Sequence, residues 1–203
     1  LVAAARRSGA AVVLVGHVTK DGGLAGPRVL EHTVDTVMHF EGDRDGALRL
    51  LRVIKHRFGA TDRVGMFRMT KRGIESLDDP SGLLLADRQA GVPGSAVVAV
   101  LEGHRPVLVE VQALVSPRPA GSGGFGTRTV TGLVPRRIDL ILAVLAQRAQ
   151  LDLSSADVFV SVAGGLTVRE PAADLAIAAA VVSSATLRAV PGDVMMLGEV
   201  GLT

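Results

Sequence analysis

The hydrophobic pattern of the chain begins with the end of a helix and a buried strand. Residues 1–8 run from apolar to basic, Gly9 provides a stop, and residues 11–15 are continuously apolar. A helix, a short turn and a fully apolar strand follow one another in this way in parallel α/β sheets. The Gly-rich, charged stretch 19–27 then predicts a loop at the carboxyl end of that strand, where open α/β sheets bind their ligands.

Short apolar segments separated by turn residues predict an antiparallel meander next. The strand candidates are residues 36–40, 47–54 and 64–69. An Asp-Gly pair at residues 45–46 is typical of a hairpin turn, and the stretch 59–62 separates the second strand from the third. Because these turns are short, we expect consecutive strands to pair with each other at the edge of the sheet.

A turn-rich stretch around residues 78–94 marks the boundary between two predicted domains. We assign residues 1–85 to the first domain, 86–94 to a linker and 95–203 to the second domain. Beyond the linker, the pattern predicts strands at 95–101, 107–115, 158–162 and 194–197, and helices at 136–149 and 171–184. The Pro-, Gly- and Ser-rich stretch 116–126 is predicted to be a loop. Strands and helices therefore occur in both domains, and the predicted fold class is α/β.

Composition narrows the kind of core and the compartment. Of the 203 residues, 48% are hydrophobic but only 2% are aromatic, which predicts a packed core of Val, Leu, Ile and Ala. No apolar run approaches the roughly 18–20 residues of a membrane span, and the start lacks the pattern of a signal peptide. The absence of cysteine excludes disulfides, thiolate nucleophiles and cysteine-ligated zinc within this stretch. We therefore expect a cytoplasmic protein with no membrane partner and no metal site in this chain.

Charge is unevenly distributed between the two predicted domains. Residues 1–82 contain 13 Lys and Arg against 10 Asp and Glu, whereas residues 83–203 contain 9 Arg against 10 acidic residues. A modest positive excess fits either a solvated surface or a surface for nucleic acid, and charge alone leaves both open.

Three groups of motifs together resemble the bacterial RadA (Sms) family. Residues 16–32, from Gly-His-Val-Thr-Lys to Leu-Glu-His, resemble a strand end and loop of that family. The motif KHRFG at residues 55–59 resembles its KNRFG signature, with His56 in place of Asn. Residues 169–175 and 198–202 resemble its Lon-protease-like domain. The resemblance implies the distal half of a RecA-like core, followed by a Lon-protease-like α/β domain of the ribosomal S5 domain 2 type.

The resemblance also implies a function, since RadA-like proteins are similar to hexameric, DnaB-type motors. The intact protein would be a DNA-dependent ATPase or helicase in DNA repair and homologous recombination, promoting branch migration or unwinding. Its partners would be single-stranded and branched DNA, further copies of itself in a hexameric ring, and a recombinase. The alternative is a non-catalytic module that assembles the ring and binds DNA.

Three residues are candidates for contact with ATP in such a ring. Lys55 and Arg57 would reach the nucleotide of the neighbouring subunit, where positioned positive charge accelerates phosphoryl transfer. They are two residues apart, so on a strand both should point to one side and His56 to the other. His17 would sense the γ-phosphate. The alternatives are an exposed basic strand end and a histidine that is merely hydrogen-bonded.

Candidate DNA contacts fall in two places. Lys20 and Arg28 flank the glycine-rich loop whose counterparts line the channel of the ring. In the second domain, the candidates in or beside the predicted loop are Arg118, Arg128, Arg136 and Arg137. Contacts of these side chains with the phosphate backbone would be independent of DNA sequence and sensitive to salt, and solvated loop charges are the alternative.

A missing phosphate-binding motif limits what this chain does alone. The phosphate-binding motif G-x-x-x-x-G-K-[ST] is absent, so we expect no ATPase activity from these residues alone. ATP and Mg²⁺ would be bound by other parts of the protein together with Lys55 and Arg57, and zinc only by an N-terminal region outside this sequence.

The Lon-like domain, C-terminally incomplete here, lacks the residues of a peptidase. Lon-type peptidases use a Ser nucleophile that a Lys deprotonates. The Ser position falls on Ala172 and the Lys position on Thr203, and no lysine follows Lys71. No Ser–Lys dyad can form in this stretch, and a degenerate, non-proteolytic site is predicted.

Overall fold

The computed structural model describes residues 2–17, 29–42, 47–119 and 124–202, and shows a mixed α/β chain with two four-stranded sheets. The helices are α1 Val2–Ser8, α2 Val29–Thr33, α3 Pro80–Leu84, α4 Pro135–Arg148 and α5 Asp174–Thr186. The strands are β1 Thr36–Glu41, β2 Leu48–His56, β3 Val64–Thr70, β4 Gly73–Ser76, β5 Ser95–Glu102, β6 Arg105–Ser116, β7 Arg128–Thr131 and β8 Asp157–Val162. Short 3-10 helices cover Ala163–Gly165 and Pro171–Ala173.

The first sheet is the predicted antiparallel meander. Its strands lie in the order β1-β2-β3-β4, and every neighbouring pair is antiparallel. A register shift after Val37 marks an irregularity between β1 and β2. Such irregularities change the direction of a strand, and this one lies opposite the last residues of β2. The fourth strand is an addition to the prediction.

The second sheet has the order β5-β6-β8-β7, antiparallel except for the parallel pair β7–β8. Helix α5 packs against β5 and β6 and also contacts α4. Helix α3 contacts β6 as well, where Leu108 N donates to Ser81 Oγ at 3.1 Å. The predicted helices of this half and three of its four predicted strands are present, and β7 was not predicted. Helix α3 was not predicted either.

The core of the described residues is aliphatic, as the composition predicts. Its most buried large side chains come from the second sheet and the helices above it, among them Val98, Val109, Ile141, Ile177 and Val181. No phenylalanine in the described part of the chain is buried. Leu48, Leu50 and Met66 of the first sheet belong to the same hydrophobic cluster.

The two sheets also touch through polar contacts. Arg52 Nη2 donates to Glu102 Oε2 at 2.8 Å, which joins β2 to the end of β5. A Cβ atom on Gly103 would lie 2.1 Å from Asp62 O, so the β5–β6 turn abuts the β2–β3 connection so closely that no larger residue fits. Helix α3 lies within the predicted first domain, yet it packs on the second sheet.

The predicted buried strand at residues 11–15 is wrong for this structure. These residues have no regular secondary structure, and Val13 and Val15 are 85% and 93% exposed. An apolar strand is buried only when neighbouring strands and helices cover it, and the described residues provide none there. The predicted strand 194–197 is reduced to one bridge between Met195 and Val97. None of the helices described is long and apolar enough to cross a membrane.

Candidate functional site

The motif KHRFG lies where β2 ends. Lys55 and His56 are the last two residues of β2, and Arg57 and Phe58 follow directly. The side chain of Arg57 is 60% exposed and Phe58 is 77% exposed. The structure therefore presents a cation and an aromatic ring side by side at the tip of a strand.

The ammonium of Lys55 is held by backbone carbonyls. Lys55 Nζ donates to Glu31 O at 2.7 Å, to Val34 O at 3.0 Å and to His32 O at 3.3 Å. These oxygens lie at the C-terminal end of α2 and just beyond it, where helix carbonyls lack partners within the helix and favour a cation. Because an ammonium has three protons, this arrangement satisfies it completely.

Arg57 is held less firmly. Its Nη1 donates to Asp35 Oδ1 at 3.2 Å, and its backbone N donates to Asp35 O at 2.9 Å. Arg6 Nη2 lies 3.8 Å from the same carboxylate oxygen. Ion pairs as exposed as these contribute only about 0–1 kcal/mol, so the guanidinium can exchange Asp35 for a stronger anion at little cost.

The remaining candidates for nucleotide and channel contact are less defined. His17 is exposed and stands at the end of the segment that lacks regular secondary structure. Lys20 and Arg28 lie outside the described residues, as does Thr203 of the degenerate peptidase site. The structure therefore brings together Lys55 and Arg57, and it shows no contact between this pair and His17.

The four arginines predicted for DNA differ sharply in their surroundings. Arg128 is partly buried and donates to Leu153 O and Ala156 O at 2.8 and 2.5 Å. Arg118 donates to Phe125 O at 3.1 Å. Arg136, at the start of α4, is exposed and has no hydrogen-bond or ion-pair partner in the described part of the chain.

Arg137 belongs to a buried ion pair. Its Nε donates to Asp174 Oδ1 at 2.7 Å, its Nη2 donates to Asp174 Oδ2, and Nη2 also reaches Glu199 Oε1 at 3.0 Å. The hydrogen bonds to Asp174, and next those to Glu199, raise the pKa of Arg137 above its ordinary value. Asp174 is only 1% exposed and the Arg137 side chain is 27% exposed, so this guanidinium is engaged by a buried carboxylate.

The same ion pair lies close to Ala172, the residue predicted to stand at a degenerate peptidase site. Ala172 lies in the 3-10 turn before α5, and its carbonyl accepts from Gly198 N at 2.8 Å. Val200 N donates to Asp174 Oδ2 at 3.0 Å. The segment around residue 198 is thus bonded across the place where a Lon-type nucleophile would stand.

The sequence did not single out the acidic and hydroxyl side chains that contact Arg57, His56 and Arg137. Asp35 and Thr36 have no motif of their own, and their importance depends on the pairing of β1 with β2. Asp174 carried a visible signal, because an acidic residue opening a helix as apolar as α5 needs a partner when it is buried.

The chain is similar in sequence to known bacterial proteins. No protein-family profile matches the chain. Curated relatives do match, and they include DNA repair proteins from several bacteria. Over 203 residues, all of this chain and 44% of its relative, it is 50% identical to the DNA repair protein RadA of Pseudomonas aeruginosa. It is 50% identical to RadA of Mycolicibacterium smegmatis over 95% of this chain and 40% of that protein. For RadA of Aquifex aeolicus the identity is 49% over 94% of this chain and 42% of that protein.

These relatives all carry the name DNA repair protein RadA, and the chain matches them over 94% or more of its own length. The chain belongs to the RadA family, and it corresponds to the C-terminal part of the relatives it matches. It spans about two fifths of their length, as the coverage of 40% to 44% shows.

Proposed function

We propose that this chain is the C-terminal part of an ATP-driven DNA motor that works as a hexameric ring in repair and homologous recombination. In this proposal the motor promotes branch migration or unwinding on single-stranded and branched DNA, together with a recombinase. The observation that carries the proposal is the tip of β2, where an Arg57 side chain that is 60% exposed lies beside Lys55. Kinship with DNA repair proteins named RadA gives the setting.

The tip of β2 is suited to reach a nucleotide on a neighbouring subunit. Bound ATP and Mg²⁺ supply the phosphoryl group that is transferred and part of the positive charge that stabilises the transition state. The chain has no phosphate-binding loop, so its own contribution is the pair of cations. The planar guanidinium of Arg57 can bind phosphate oxygens through two parallel hydrogen bonds, and Lys55 adds a compact charge.

Reaching a phosphate requires both cations to change partners. Arg57 would exchange one exposed carboxylate, and Lys55 would exchange three neutral carbonyls. A phosphate carries formal negative charge, so its oxygens attract the Lys55 ammonium more strongly than neutral carbonyls do. For Arg57 a phosphate must replace one exposed carboxylate, whose ion pair contributes little. Arg57 moves more easily because its contact is weaker and more exposed.

An uncovered apolar surface supports the assignment of residues 1–85 to the distal half of a RecA-like core. Met38, Phe40, Met69 and Ile74 lie on one face of the first sheet and are 43% to 53% exposed. Val13 and Val15 add further exposed apolar area. A surface of this kind is typical of a protein–protein contact or of a core that is completed by other residues. We propose that the preceding half of a RecA-like core covers it.

For residues 95–203 we propose a Lon-protease-like fold without peptidase activity. Ala172 has no side-chain oxygen for nucleophilic attack, and its carbonyl is engaged by Gly198. Asp174, in the first turn of α5 next to that position, is buried and paired with Arg137 of α4. A structural role in assembly and DNA contact fits these contacts better than catalysis.

DNA contact would then involve Lys20, Arg28 and the arginines that the second domain leaves free. Arg136 is the clearest of these, since its side chain is exposed and unpartnered within the described residues. Arg118 is partly committed to Phe125 O. Contacts from these side chains to the phosphate backbone would weaken steadily as salt displaces them.

Fluorescence anisotropy on labelled single- and double-stranded DNA across a salt series tests this. We expect log-linear loss of binding with salt, a weaker affinity and a shallower slope for Lys20→Ala/Arg28→Ala on single strands, and the same for Arg136→Ala on duplex. Arg148→Ala, at the opposite end of α4, is the matched control and should bind as the unsubstituted chain does. Binding that is indifferent to salt would contradict the proposal.

A second candidate function is a non-catalytic module that assembles the ring and binds DNA. The observation in its favour is that the Lys55 ammonium is fully satisfied by three carbonyls within the chain. In that case Lys55 stabilises α2 and does not touch ATP. Full ATPase activity in a full-length Lys55→Ala/Arg57→Ala protein that still forms rings would favour this module over the motor.

A further inference from the structure

His56 stands between the two candidate cations, and three different contacts hold its ring. Its Nδ1 is 2.9 Å from Thr36 Oγ1. Its ring meets the ring of Phe58 edge-on, with centroids 6.4 Å apart and planes at 90°. A Cβ atom on Gly59 would lie 2.8 Å from its Cδ2 and 3.1 Å from its Nε2. The imidazole therefore fills the space that Gly59 leaves open.

These contacts join the tip of β2 to the beginning of β1. Thr36 is the first residue of β1 and pairs with His56 in the ladder. One residue further on, Arg57 N donates to Asp35 O at 2.9 Å. The side-chain bond and the backbone bond act on consecutive residues, so together they fix the direction in which the chain leaves β2.

We propose that His56 is a positioning residue for Lys55 and Arg57, and this inference rests on the proposed function of that pair. The hydrogen bond to Thr36 anchors the end of β2 to β1. The ring, lying on Gly59 and against Phe58, holds the following turn so that the Arg57 side chain projects from a fixed backbone. His56 itself touches no nucleotide in this account.

The two parts of this role are separable by substitution. Asparagine, the residue of the KNRFG signature, can offer an amide group to Thr36 Oγ1 where His56 offers Nδ1. It has no ring to lie on Gly59. His56→Asn therefore keeps the hydrogen bond to Thr36 but loses the ring packing on Gly59, whereas His56→Ala loses both.

The test uses a full-length protein that carries this chain as its C-terminal part, with DNA-stimulated ATPase as the readout. We expect His56→Ala to lower kcat about tenfold, because small displacements of a catalytic group cost one to two orders of magnitude. KM for ATP and the unfolding temperature should change little. His56→Asn should recover most of the activity. Thr36→Val removes the hydrogen bond but keeps the ring contacts, so it should lower kcat by less than His56→Ala does. The Thr36→Val/His56→Ala double variant should be no worse than His56→Ala alone.

Gly59→Ala tests the ring directly and remains informative if His56→Ala fails to fold. Next to His56 the added methyl group must displace the imidazole, so kcat should fall; in the His56→Asn background the same change should be tolerated. Equal losses in both backgrounds would overturn the inference. So would unchanged activity in His56→Ala when Arg57→Ala is inactive. Unchanged activity in Arg57→Ala would instead remove the proposed function, and this inference with it.

Discussion

Arg137 lies in the first turn of α4 and places its guanidinium against Asp174, a carboxylate that is only 1% exposed. Its neighbour Arg136 is exposed and unpartnered within the described residues. The two arginines are adjacent in sequence and chemically identical, yet one belongs to the interior and the other to the surface. Helical geometry separates them, because consecutive helical residues point in directions about 100° apart.

Removing Arg137 should therefore destabilise the fold. Arg137→Met removes the cation that faces the buried Asp174 carboxylate and leaves it only the Val200 N–H, and a buried charge without its partner ion is destabilising. We expect a clear loss in the free energy of unfolding, measured by urea denaturation. Arg136→Ala is the control and should change stability by less than about 0.5 kcal/mol.

A compensating change separates the effect of charge from that of packing. Asp174→Leu in the Arg137→Met background replaces both charges by apolar groups, which is often close to neutral at buried ion pairs. The double variant should recover most of the lost stability. A single Arg137→Met variant as stable as the unsubstituted chain would contradict the structural role of this arginine.

Sequence located the candidate cations but not what holds them. The motif at residues 55–59 was enough to single out Lys55 and Arg57. Their partners in residues 31–36 depend on how β1 pairs with β2, and the local sequence does not predict that pairing. The same limit applies to the arginines of the second domain, because only the fold decides that Arg128 and Arg137 serve the interior.

At the scale of elements, Gly94 fixes the entry into β5. Its backbone has a φ of +91°, and a Cβ atom would lie 2.3 Å from Ala113 O. Its backbone N donates to Ser183 Oγ at 2.9 Å, and its carbonyl oxygen accepts from Ala113 N at 2.7 Å. The position therefore requires glycine both for its conformation and for its space.

Comparison with Gly91 isolates the steric part. Gly91 also has a positive φ, +79°, but nothing lies within 4 Å of a Cβ atom there. We expect Gly91→Ala to cost about 1 kcal/mol, as the left-handed conformation alone does. Gly94→Ala should cost at least about 3 kcal/mol, since it adds a backbone clash. Equal losses in thermal or urea unfolding would show that β5 and β6 can separate to admit the methyl group.

Elements with strong local patterns were predicted well, and those that depend on distant neighbours were not. The meander and helix α4 follow from short turns and from apolar residues at helical spacing. Strand β7 is four residues long and pairs in parallel with β8, which is distant in sequence, so no local pattern predicts it. The apolar run 11–15 was wrongly predicted as a strand. Its local pattern is typical of a buried strand, but no strand lies beside it among the described residues.

At the scale of the whole molecule, the two halves differ in how complete they are. The second sheet has helices packed on it and supplies most of the aliphatic core. The first sheet buries one face and leaves apolar side chains such as Met38 and Ile74 half exposed on the other. This asymmetry agrees with a chain that spans about two fifths of its relatives' length.

Mixing two inactive variants of a full-length protein shows whether Arg57 acts on the neighbouring subunit. One variant carries Arg57→Ala, and the other carries a substituted lysine in its phosphate-binding loop. If Arg57 acts on the neighbouring subunit, mixed rings contain interfaces with both an intact loop and an intact Arg57, and DNA-stimulated ATPase activity returns on mixing. If the mixed rings assemble but stay inactive at every ratio, Arg57 does not act across the subunit boundary and the account is contradicted.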